Sequence, residues 1–514
     1  MGSRHFPART VLFERETSGV TYRVPALLYI PCVAKLLAFA EERLSVDDAH
    51  ANLLVLRRGT FYKNYVEWED MRALETAALA HHRSMNPCPI YDELTGMVFL
   101  FFIAVLGRTP EAFQIITGQN AARLCYVSSS DQGISWSHVT DLTQQVIGRT
   151  IEDWATFALG PGHGIQLKSG RLLLPAYAYH IDCKECFGKL CKTTPHAFTF
   201  YSDDHGQSWD FGEFIPNLQT VECQMVSVDE EDGSNRLYCN ARSPLGFRVQ
   251  ALSMDDGAVF QSGQLVQRLV EPPHGCHGSI IGFQAPLYYL HHNIHMVRRQ
   301  TQSGQSSGLL LQPSTEKGNQ PPPPLPPPPT VPSASLCSQS LYHQQESLGF
   351  SRTCSGHHSN FLSLISSGKE YTGQEKDNIG TISKSGFNFQ IPTWVLYSHP
   401  TSSRSRVNLG IYLSTFPRDA DSWTEPWVIY EGPSAYSDLA YIELPYSEFS
   451  ITGIPAIAFA CLYENGVRSP YEQISFSMFT LHEVLQNIPL TTSSSGQKQP
   501  SSGRKRWWRT CVIS

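Results

Sequence analysis

Three copies of one short pattern, Ser-x-Asp-x-Gly-x-x-aromatic, constrain the fold of this chain more than any other feature. They run from Ser129 to Trp136, from Ser202 to Trp209 and from Ser253 to Phe260. In each copy the Asp carboxylate can accept backbone N–H groups and the Gly can take a positive φ, as a tight turn between strands requires. A recurring turn of this kind predicts a radially repeated sheet, with one blade for each copy.

Composition and length exclude several classes of protein. The 514 residues carry a formal net charge of −7, which offers no basic surface for nucleic acid. The 13 cysteines are an odd number and the first residues lack a secretory signal, so we expect reduced thiols in a cytosolic or cytosol-facing protein. The longest apolar run, Val98 to Leu106, is too short to span a bilayer and is predicted to be a buried strand.

The ordered part of the chain is predicted to be one domain in two segments. Short apolar runs broken by turn residues predict a single all-β domain formed by residues 1–295 and 389–488. Strand-like sequence resumes at Pro392 to Tyr397 after the interruption, and Leu481 to Asn487 is predicted to be a short closing helix.

Two further segments have the composition of disordered chain. Residues 296–388 are rich in Ser, Gln and Pro, and their proline run from Pro321 to Pro329 is predicted to form polyproline II. This insert is either a tolerated surface loop or a ligand for an SH3-type partner. Residues 489–514 are predicted to be a flexible tail.

Four arginines lie in compact, strand-like phrases. They are Arg23 in Tyr-Arg-Val-Pro, Arg43 in Ala-Glu-Glu-Arg, Arg242 in Asn-Ala-Arg-Ser and Arg406 in Ser-Arg-Val-Asn-Leu-Gly. Acidic and phenolic side chains lie in equally compact phrases, at Asp48, Glu222, Tyr436 and Glu464. Taken one at a time, each is better explained as a surface charge, a turn residue or a core aromatic.

Together these phrases resemble the exo-α-sialidases, or neuraminidases, whose signature is Arg-(Ile/Val)-Pro followed by Asp-boxes. Further phrases agree at Arg83–Pro89, Gly160–Gly164, Pro175–Tyr179 and Glu271–Pro273. The resemblance covers nearly everything outside the insert and the tail. It is strongest for the cytosolic and membrane-associated vertebrate branch, most of all its fourth type, which also carries a proline-rich insert. It implies an all-β, six-bladed β-propeller with the sialidase fold and Asp-box hairpins.

The resemblance also implies how a sialoside carboxylate would be bound. The family's three-arginine clamp falls on Arg23, Arg242 and Arg406, and a planar guanidinium is the best partner for a carboxylate. Glu464 occupies the position that braces the first arginine. Arg43, with Glu41 nearby, matches a further substrate-contacting position.

The family pattern places the catalytic roles on three residues. Tyr436 is the nucleophile, Glu222 is its base, and Asp48 is the acid/base that acts on the glycosidic oxygen and then on water. A neutral phenol avoids the repulsion that an anionic nucleophile would meet from the substrate's own carboxylate. Two displacements imply retention of configuration. We expect a raised pKa for Asp48 and an acidic activity optimum.

The remaining pocket positions are assigned by the same resemblance. Met85 and Asn86 match positions near the N-acetyl group, and Glu111, Tyr177 and Tyr179 match positions near the glycerol tail. His277 stands where the family commonly shows Gln, so we expect affinity on the glycerol side to vary with its titration.

Two smaller signals remain. Cys183, Cys186, Cys191 and His196 have the spacing of a small zinc site, but three free thiols in a loop is the favoured interpretation, and we expect no metal. The C-terminal Cys-Val-Ile-Ser fits prenylation of Cys511, and the adjacent basic residues and tryptophans would add to membrane attachment. An unmodified basic tail and a nuclear address are the alternatives.

The sequence therefore predicts an exo-α-sialidase that needs no cofactor and acts on gangliosides, glycoproteins and oligosaccharides. We expect it in the cytoplasm, peripherally attached to membranes, with lysosomal or other organelle membranes and the nucleus as alternatives. Two other functions stay open. One is a sialic-acid-binding propeller without hydrolysis, and the other is a scaffold that acts through its proline-rich insert.

Overall fold

The computed structural model of the chain describes residues 5–62, 65–186, 190–286, 390–444 and 456–488. The predicted insert at 296–388, with its SH3-type partner, lies outside the described residues. So does the predicted tail at 489–514, with Cys511 and its lipid.

Within the described residues the regular structure is mostly β-strand, and all the strand pairs are antiparallel. The helices are few and short. They are α1 (Glu111–Thr117), α2 (Leu481–Asn487), 3₁₀ turns at Pro31–Val33, Asp48–His50 and Gly148–Asp153, and a π turn at Thr143–Ile147. None of the described helices has the length and apolar character needed to cross a membrane.

The strands are numbered in chain order and begin with β1 (Arg9–Glu14), which pairs with the last strand of the chain. The next sheet contains β2 (Thr21–Ile30), β3 (Lys35–Arg43), β4 (Ala51–Tyr62), β5 (Tyr65–Trp68) and β6 (Arg72–Ala73). The following sheet contains β7 (His82–Tyr91), β8 (Val98–Leu106), β9 (Ala122–Ser129) and β10 (Thr140–Asp141).

Two further sheets follow before the insert. The first contains β11 (Trp154–Leu159), β12 (Ile165–Gln166), β13 (Leu172–Cys186), β14 (Leu190–Ser202) and β15 (Asp210–Phe211). The second contains β16 (Cys223–Asp229), β17 (Asn235–Ala241), β18 (Phe247–Ser253) and β19 (Gln264–Val270).

The fifth sheet has seven strands and includes β1. Its other members are β20 (Ser279–Gln284), β21 (Thr393–Pro400), β22 (Val407–Ser414), β23 (Trp427–Leu444), β24 (Ala456–Asn465) and β25 (Gln473–Thr480). The long strand β23 pairs with β22 through its first half and with β24 through its second half.

The core lies between neighbouring sheets, which pack face to face. Phe39 of β3 and Phe102 of β8 belong to one buried cluster, so the β2–β6 sheet and the β7–β10 sheet share a core. Leu36 of β3 and Leu462 of β24 belong to another, so the last sheet packs against the first. Strand β3 thus packs on both of its faces, which explains why it is buried at nearly every position.

The three repeated turns share one hydrogen-bond pattern, and each joins the last two strands of its sheet. In the first, Ser129 Oγ accepts from Gly133 N at 2.8 Å and Asp131 Oδ1 accepts from Ser135 N at 2.9 Å. Gly133 has φ +78°, where a side chain would be strained. The corresponding bonds recur in the other two copies, to Gly206 and Ser208 and to Gly257 and Val259.

Several expectations for the fold are confirmed. The chain is all-β, Val98–Leu106 is a strand buried except at its last residue, and Leu481–Asn487 is a helix. The expectation of reduced thiols is wrong at Cys183, which forms a disulfide bond, whereas Cys191 of the same hairpin is free. The sequence could not reveal this, because disulfide formation depends on how closely two Cβ atoms approach in the folded chain.

Candidate active site

A cavity of about 810 Å³ is lined by residues that lie in or directly beside strands of all five sheets. Twelve of the fifteen predicted site residues in the described chain line it. They are Arg23, Arg43, Asp48, Met85, Asn86, Glu111, Tyr177, Tyr179, Glu222, Arg242, Arg406 and Tyr436. The other three, Glu41, Glu464 and His277, are fully buried behind its wall.

Five of the lining side chains lie at strand ends or at interruptions in strand pairing. Glu222 immediately precedes β16, Arg242 follows β17, and Arg406 precedes β22. Arg23 and Tyr436 lie instead beside register shifts in β2 and β23. Strand ends and bulges turn side chains away from the regular alternation, so residues from different sheets can point into one space.

Glu464 fixes both Arg23 and the backbone of Tyr436. Its buried carboxylate accepts from Arg23 Nε at 2.8 Å and from Tyr436 N at 3.1 Å. It also accepts from the backbone N of Val24 at 2.9 Å. Val24 has φ +56°, which is unusual for a β-branched residue, and this hydrogen bond helps to hold that conformation.

Arg43 lies between two carboxylates, one buried and one accessible. Its Nε donates to Glu41 Oε2 at 2.8 Å, and its Nη1 donates to Asp48 Oδ1. Glu41 also accepts from the backbone N of Asn86 at 2.7 Å and so ties β3 to the bulge in β7. The Asp48 side chain is 67% exposed, which makes it the accessible acid of this pair.

Tyr436 and Glu222 form a direct hydrogen-bonded pair in the cavity. The Tyr436 hydroxyl donates to Glu222 Oε1 at 2.5 Å. Arg242 Nη1 donates to Glu222 Oε2 at 2.5 Å and to the Tyr436 hydroxyl oxygen at 2.9 Å. The guanidinium carbons of Arg23 and Arg406 lie 5.6 and 5.5 Å from the centre of the Tyr436 ring.

The electrostatics keep the phenol protonated and its partner ionised. Burial raises the pKa of Tyr436 well above its ordinary value, and the neighbouring Glu222 carboxylate raises it further. Burial alone would also raise the pKa of Glu222, but the Arg242 guanidinium and the hydrogen bond from Tyr436 outweigh it, so that pKa lies below its ordinary value. Glu222 is therefore an anion placed to accept the phenolic proton.

The expectation of a raised pKa for Asp48 is wrong for the unliganded cavity. Partial desolvation inside the cavity favours the neutral acid, but the charges of Arg43 and Arg23 and the hydrogen bond from Arg43 outweigh it. The pKa of Asp48 therefore lies below its ordinary value. Sequence reasoning missed this because the distance between Asp48 and Arg43 is set by the fold.

Glu111, at the first turn of α1, is a cavity-lining carboxyl group whose pKa is raised. It accepts a hydrogen bond from the Tyr177 hydroxyl at 3.1 Å. Burial, together with the charges of Glu222 and Asp48, raises the pKa of Glu111 to about 7, against the opposing effects of Tyr177 and Arg242. This side of the cavity therefore carries a group that titrates near neutral pH.

The expected substrate contact of His277 is wrong. The ring is fully buried, does not line the cavity, and packs with its centre 5.4 Å from that of Tyr436. Burial lowers the pKa of His277 to about 4, despite the nearby Glu222 carboxylate, so the ring is neutral near physiological pH. The prediction failed because a sequence motif gives the position of a residue along the chain and does not show which way its side chain points.

Tyr471 is a cavity residue that the sequence did not reveal. Its ring lies under the Arg23 guanidinium at 3.9 Å, and its hydroxyl accepts from Arg406 Nη1 at 3.1 Å. Arg406 Nη2 also donates to the backbone carbonyl of Gly275 at 2.9 Å. Tyr471 lies in the loop between β24 and β25 and belongs to no repeated sequence motif, so no sequence pattern indicated its role.

The side chains that line the cavity can bind a carboxylate and can supply a nucleophile. Three guanidiniums, from Arg23, Arg242 and Arg406, face one cavity and can hold a carboxylate. A protonated phenol bonded to an ionised carboxylate can act as a nucleophile with its own base. Among the described residues no group of three or more His, Cys, Asp or Glu side chains is placed to hold a metal ion.

Comparison with known proteins shows which sequences this chain is similar to. The model of a BNR repeat-like domain matches residues 34–278. The chain is 51% identical to mouse sialidase-4 over 492 residues, covering 95% of this chain and 96% of that protein. It is 49% identical to human sialidase-4, with 98% of each chain covered, and 42% identical to human sialidase-3, with 95% of each covered.

Solved structures with low identity share the fold. The Hadza microbial sialidase Hz136 has a TM-score of 0.58 at 18% identity, covering 93% of this chain and 69% of that one. The intramolecular trans-sialidase from Ruminococcus gnavus has a TM-score of 0.55 at 14% identity, covering 93% of this chain and 98% of that one.

Proposed function

Because this chain belongs to the sialidase family, we propose that it is a retaining exo-α-sialidase that removes terminal sialic acid from gangliosides, glycoproteins and oligosaccharides. The expected likeness to the fourth vertebrate type is confirmed. The observation that carries the mechanism is the Tyr436–Glu222 pair, joined at 2.5 Å in a cavity faced by three arginines.

Substrate binding begins with the carboxylate of the sialoside. Arg23, Arg242 and Arg406 supply charged N–H donors, and a guanidinium can meet a carboxylate through two parallel hydrogen bonds. Arg23 is braced by Glu464 and Arg406 by Tyr471, so the donors are held in place before the substrate arrives. Preorganised donors of this kind lose little conformational entropy on binding.

The first displacement uses Tyr436 and Glu222. The phenolic oxygen attacks the anomeric carbon while its proton passes to Glu222, and the bond to the glycosidic oxygen breaks. Among glycosidases, sialidases are known for a tyrosine in this role. A neutral phenol suits an anomeric carbon that already carries an anionic carboxylate. The second displacement, by water, returns the proton to Tyr436 and restores the original configuration.

Asp48 serves as the acid and then the base in this scheme. It gives its proton to the departing oxygen and later takes one from the attacking water. Its low pKa in the unliganded cavity arises largely from Arg43 and Arg23. A bound carboxylate offsets the charge of Arg23, and the leaving group removes water from Asp48. We therefore infer that substrate binding raises the pKa of Asp48 toward the value that an acid requires.

The rest of the cavity contacts the substituents of the sugar. Met85 and Asn86 lie on the β7 side and are assigned to the N-acetyl group. Glu111, Tyr177 and Tyr179 lie on the α1 and β13 side and are assigned to the glycerol tail. Protonated Glu111 could donate a hydrogen bond to a hydroxyl of that tail.

The fold is further proposed to be a six-bladed propeller formed by residues 1–295 and 389–488. The pairing of β23 supports this count. Its residues up to Pro433 pair with β22 and those from Ser434 pair with β24, so the seven-stranded sheet can be divided into two four-stranded blades that share β23. The three repeated turns would then mark the second, third and fourth blades.

The proposal is tested by following the hydrolysis of a sialoside by NMR. Purified full-length protein is incubated with a sialyllactose, and the anomer of free sialic acid is recorded before it mutarotates. We expect the α-anomer to appear first, as retention requires. Initial release of the β-anomer would contradict the two-step mechanism. Binding of the sialoside without hydrolysis would instead favour the sialic-acid-binding alternative.

A further inference from the structure

A second buried carboxylate lies two residues beyond Tyr436. The side chain of Asp438 is fully buried, and its two oxygens accept from four donors. The donors are Leu27 N at 2.7 Å, His163 Nδ1 at 2.7 Å, Ser279 Oγ at 2.8 Å and Gln224 Nε2 at 3.3 Å. None of these groups lines the cavity.

The donors come from different parts of the fold. Leu27 belongs to β2, Gln224 to β16 and Ser279 to β20, whereas His163 lies between β11 and β12. Together with Asp438 in β23, they represent four of the five sheets. One side chain therefore ties together strands that pair in separate sheets.

The space around this network is closed to any additional side chain. Gly162 lies beside it with φ +115°. A Cβ on Gly162 would lie 2.0 Å from Gln224 Nε2 and 2.7 Å from Asp438 Oδ1. The backbone of the loop between β11 and β12 therefore packs directly against the carboxylate.

Tyr436 needs such an anchor because strand pairing does not fix it. The register of β23 against β24 shifts between Ser434 and Ser437, and Tyr436 lies within that shift. Its backbone N donates to the side chain of Glu464 in β24, and the register of the two strands gives Tyr436 no Cα partner. The position of the phenol thus depends on side-chain contacts on either side of the bulge.

We propose that Asp438 is a positioning residue that holds Tyr436 within reach of the anomeric carbon, by fixing β23 to β2, β16, β20 and the loop at residues 160–164. The inference rests on the proposed role of Tyr436 as nucleophile. Asp438 itself does not contact the substrate. Its contribution is to the geometry of attack, where small displacements of a reacting group strongly reduce the rate.

The substitution Asp438→Asn tests this with little change in volume. One oxygen accepts from the backbone N of Leu27 and the other from Gln224 Nε2, so either orientation of an amide places its NH₂ group against a nitrogen that can only donate. We expect β23 to shift at this point and carry Tyr436 with it. The expected result is slower attack by Tyr436 with the carboxylate clamp still formed.

The measurement separates attack from binding in the full-length protein. The attack probe is 2,3-difluorosialic acid, found as a covalent intermediate on Trypanosoma rangeli sialidase. The binding probe is the inhibitor DANA, found in complex with that same enzyme. For Asp438→Asn we expect the labelling rate of Tyr436 to fall at least about tenfold and the Kd for DANA to change less than about threefold.

Asp92 provides a matched control. Its side chain is also fully buried and is bonded to a histidine, a glutamine, a hydroxyl and a backbone N–H, but in the turn between β7 and β8. These partners are His205, Gln166, Thr95 and Leu94. Asp92→Asn should lower the Tm comparably and leave the labelling rate unchanged. Equal slowing of labelling by both variants would reduce Asp438 to a structural role and overturn the proposal.

A milder variant covers the case in which Asp438→Asn does not fold. Ser279→Ala removes one donor to Asp438, and we expect it to slow labelling by at least about threefold with DANA affinity retained. Labelling at the wild-type rate would overturn the positioning role alone. Failure of the wild-type protein to become labelled at Tyr436 would overturn the nucleophile assignment, and the positioning role with it.

Discussion

Tyr436 is the residue on which the proposed chemistry depends most directly. Tyr436→Phe removes the phenolic oxygen, and we expect kcat on a fluorogenic sialoside to fall at least about a hundredfold because no covalent intermediate can form on that residue. Tyr441→Phe, the same change in the same strand, is the control and should leave kcat near the wild-type value. Undiminished turnover by Tyr436→Phe would exclude tyrosine as the nucleophile.

Asp48 should matter most when the leaving group is poor. Asp48→Asn cannot supply a proton, so we expect kcat on sialyllactose to fall at least about a hundredfold. An aryl sialoside with a good leaving group needs little protonation and should lose much less. For the wild type, kcat on sialyllactose should decline as pH rises through the pKa of Asp48 in the complex. Equal losses on both substrates would contradict the acid role.

Glu111 should make sialoside affinity depend on pH near neutrality. Its pKa of about 7 means that it is neutral below that pH and an anion above it. An anion repels the substrate and can no longer donate a hydrogen bond, so the Kd for DANA should rise as pH increases through about 7. Glu111→Gln stays neutral. It should flatten the pH dependence of the Kd over about one pH unit on either side of that pKa, roughly between pH 6 and 8. An unchanged profile in the variant would assign the titration to another group.

The repeated turns act at the scale of single elements. Strand β9 runs from Ala122, which pairs with the cavity-lining Val105, to the first turn at Ser129, and its eight residues span roughly 26 Å. The turn therefore lies far from the reacting groups. Its effect should be on stability, because Asp131 bonds the backbone of its own turn.

Asp131→Ala tests that separation. We expect it to lower the free energy of unfolding by about 1–3 kcal/mol, since backbone N–H groups lose a charged acceptor, and to leave kcat unchanged. Ser130→Ala, at the variable position of the same turn, should change neither quantity. The unfolding is followed by circular dichroism in urea, and a fall in kcat without a loss of stability would give the turn a catalytic role.

The bulge in β2 is a feature of a single strand that the sequence did not predict. The phrase Tyr-Arg-Val-Pro identified Arg23, but the positive φ of Val24 and the register shift after Arg23 could not be read from it. These features exist because Glu464, more than four hundred residues later, accepts from both residues. A contact between distant parts of the chain overrides the local preference of a β-branched residue for extended backbone.

At the scale of the whole molecule, β1 joins the two ends of the described chain. It pairs with β25, and its Phe13 is only 1% exposed within the core shared by the first and last sheets. Phe13→Ala should lower the free energy of unfolding by about 3–5 kcal/mol through lost burial and a cavity. Val11→Ala, at a 40% exposed site of the same strand, should cost under about 0.5 kcal/mol. Similar urea midpoints for both variants would contradict this.

The sequence by itself determined the all-β class, the turn chemistry and the residue types of the cavity. These follow from local propensity and from short phrases, which do not depend on distant contacts. Twelve predicted residues line one cavity. The tertiary structure decided the burial of His277, the place of Tyr471, the low pKa of Asp48 and the convergence on Asp438. Each depends on distances between side chains of separate strands, which arise only when the sheets pack together.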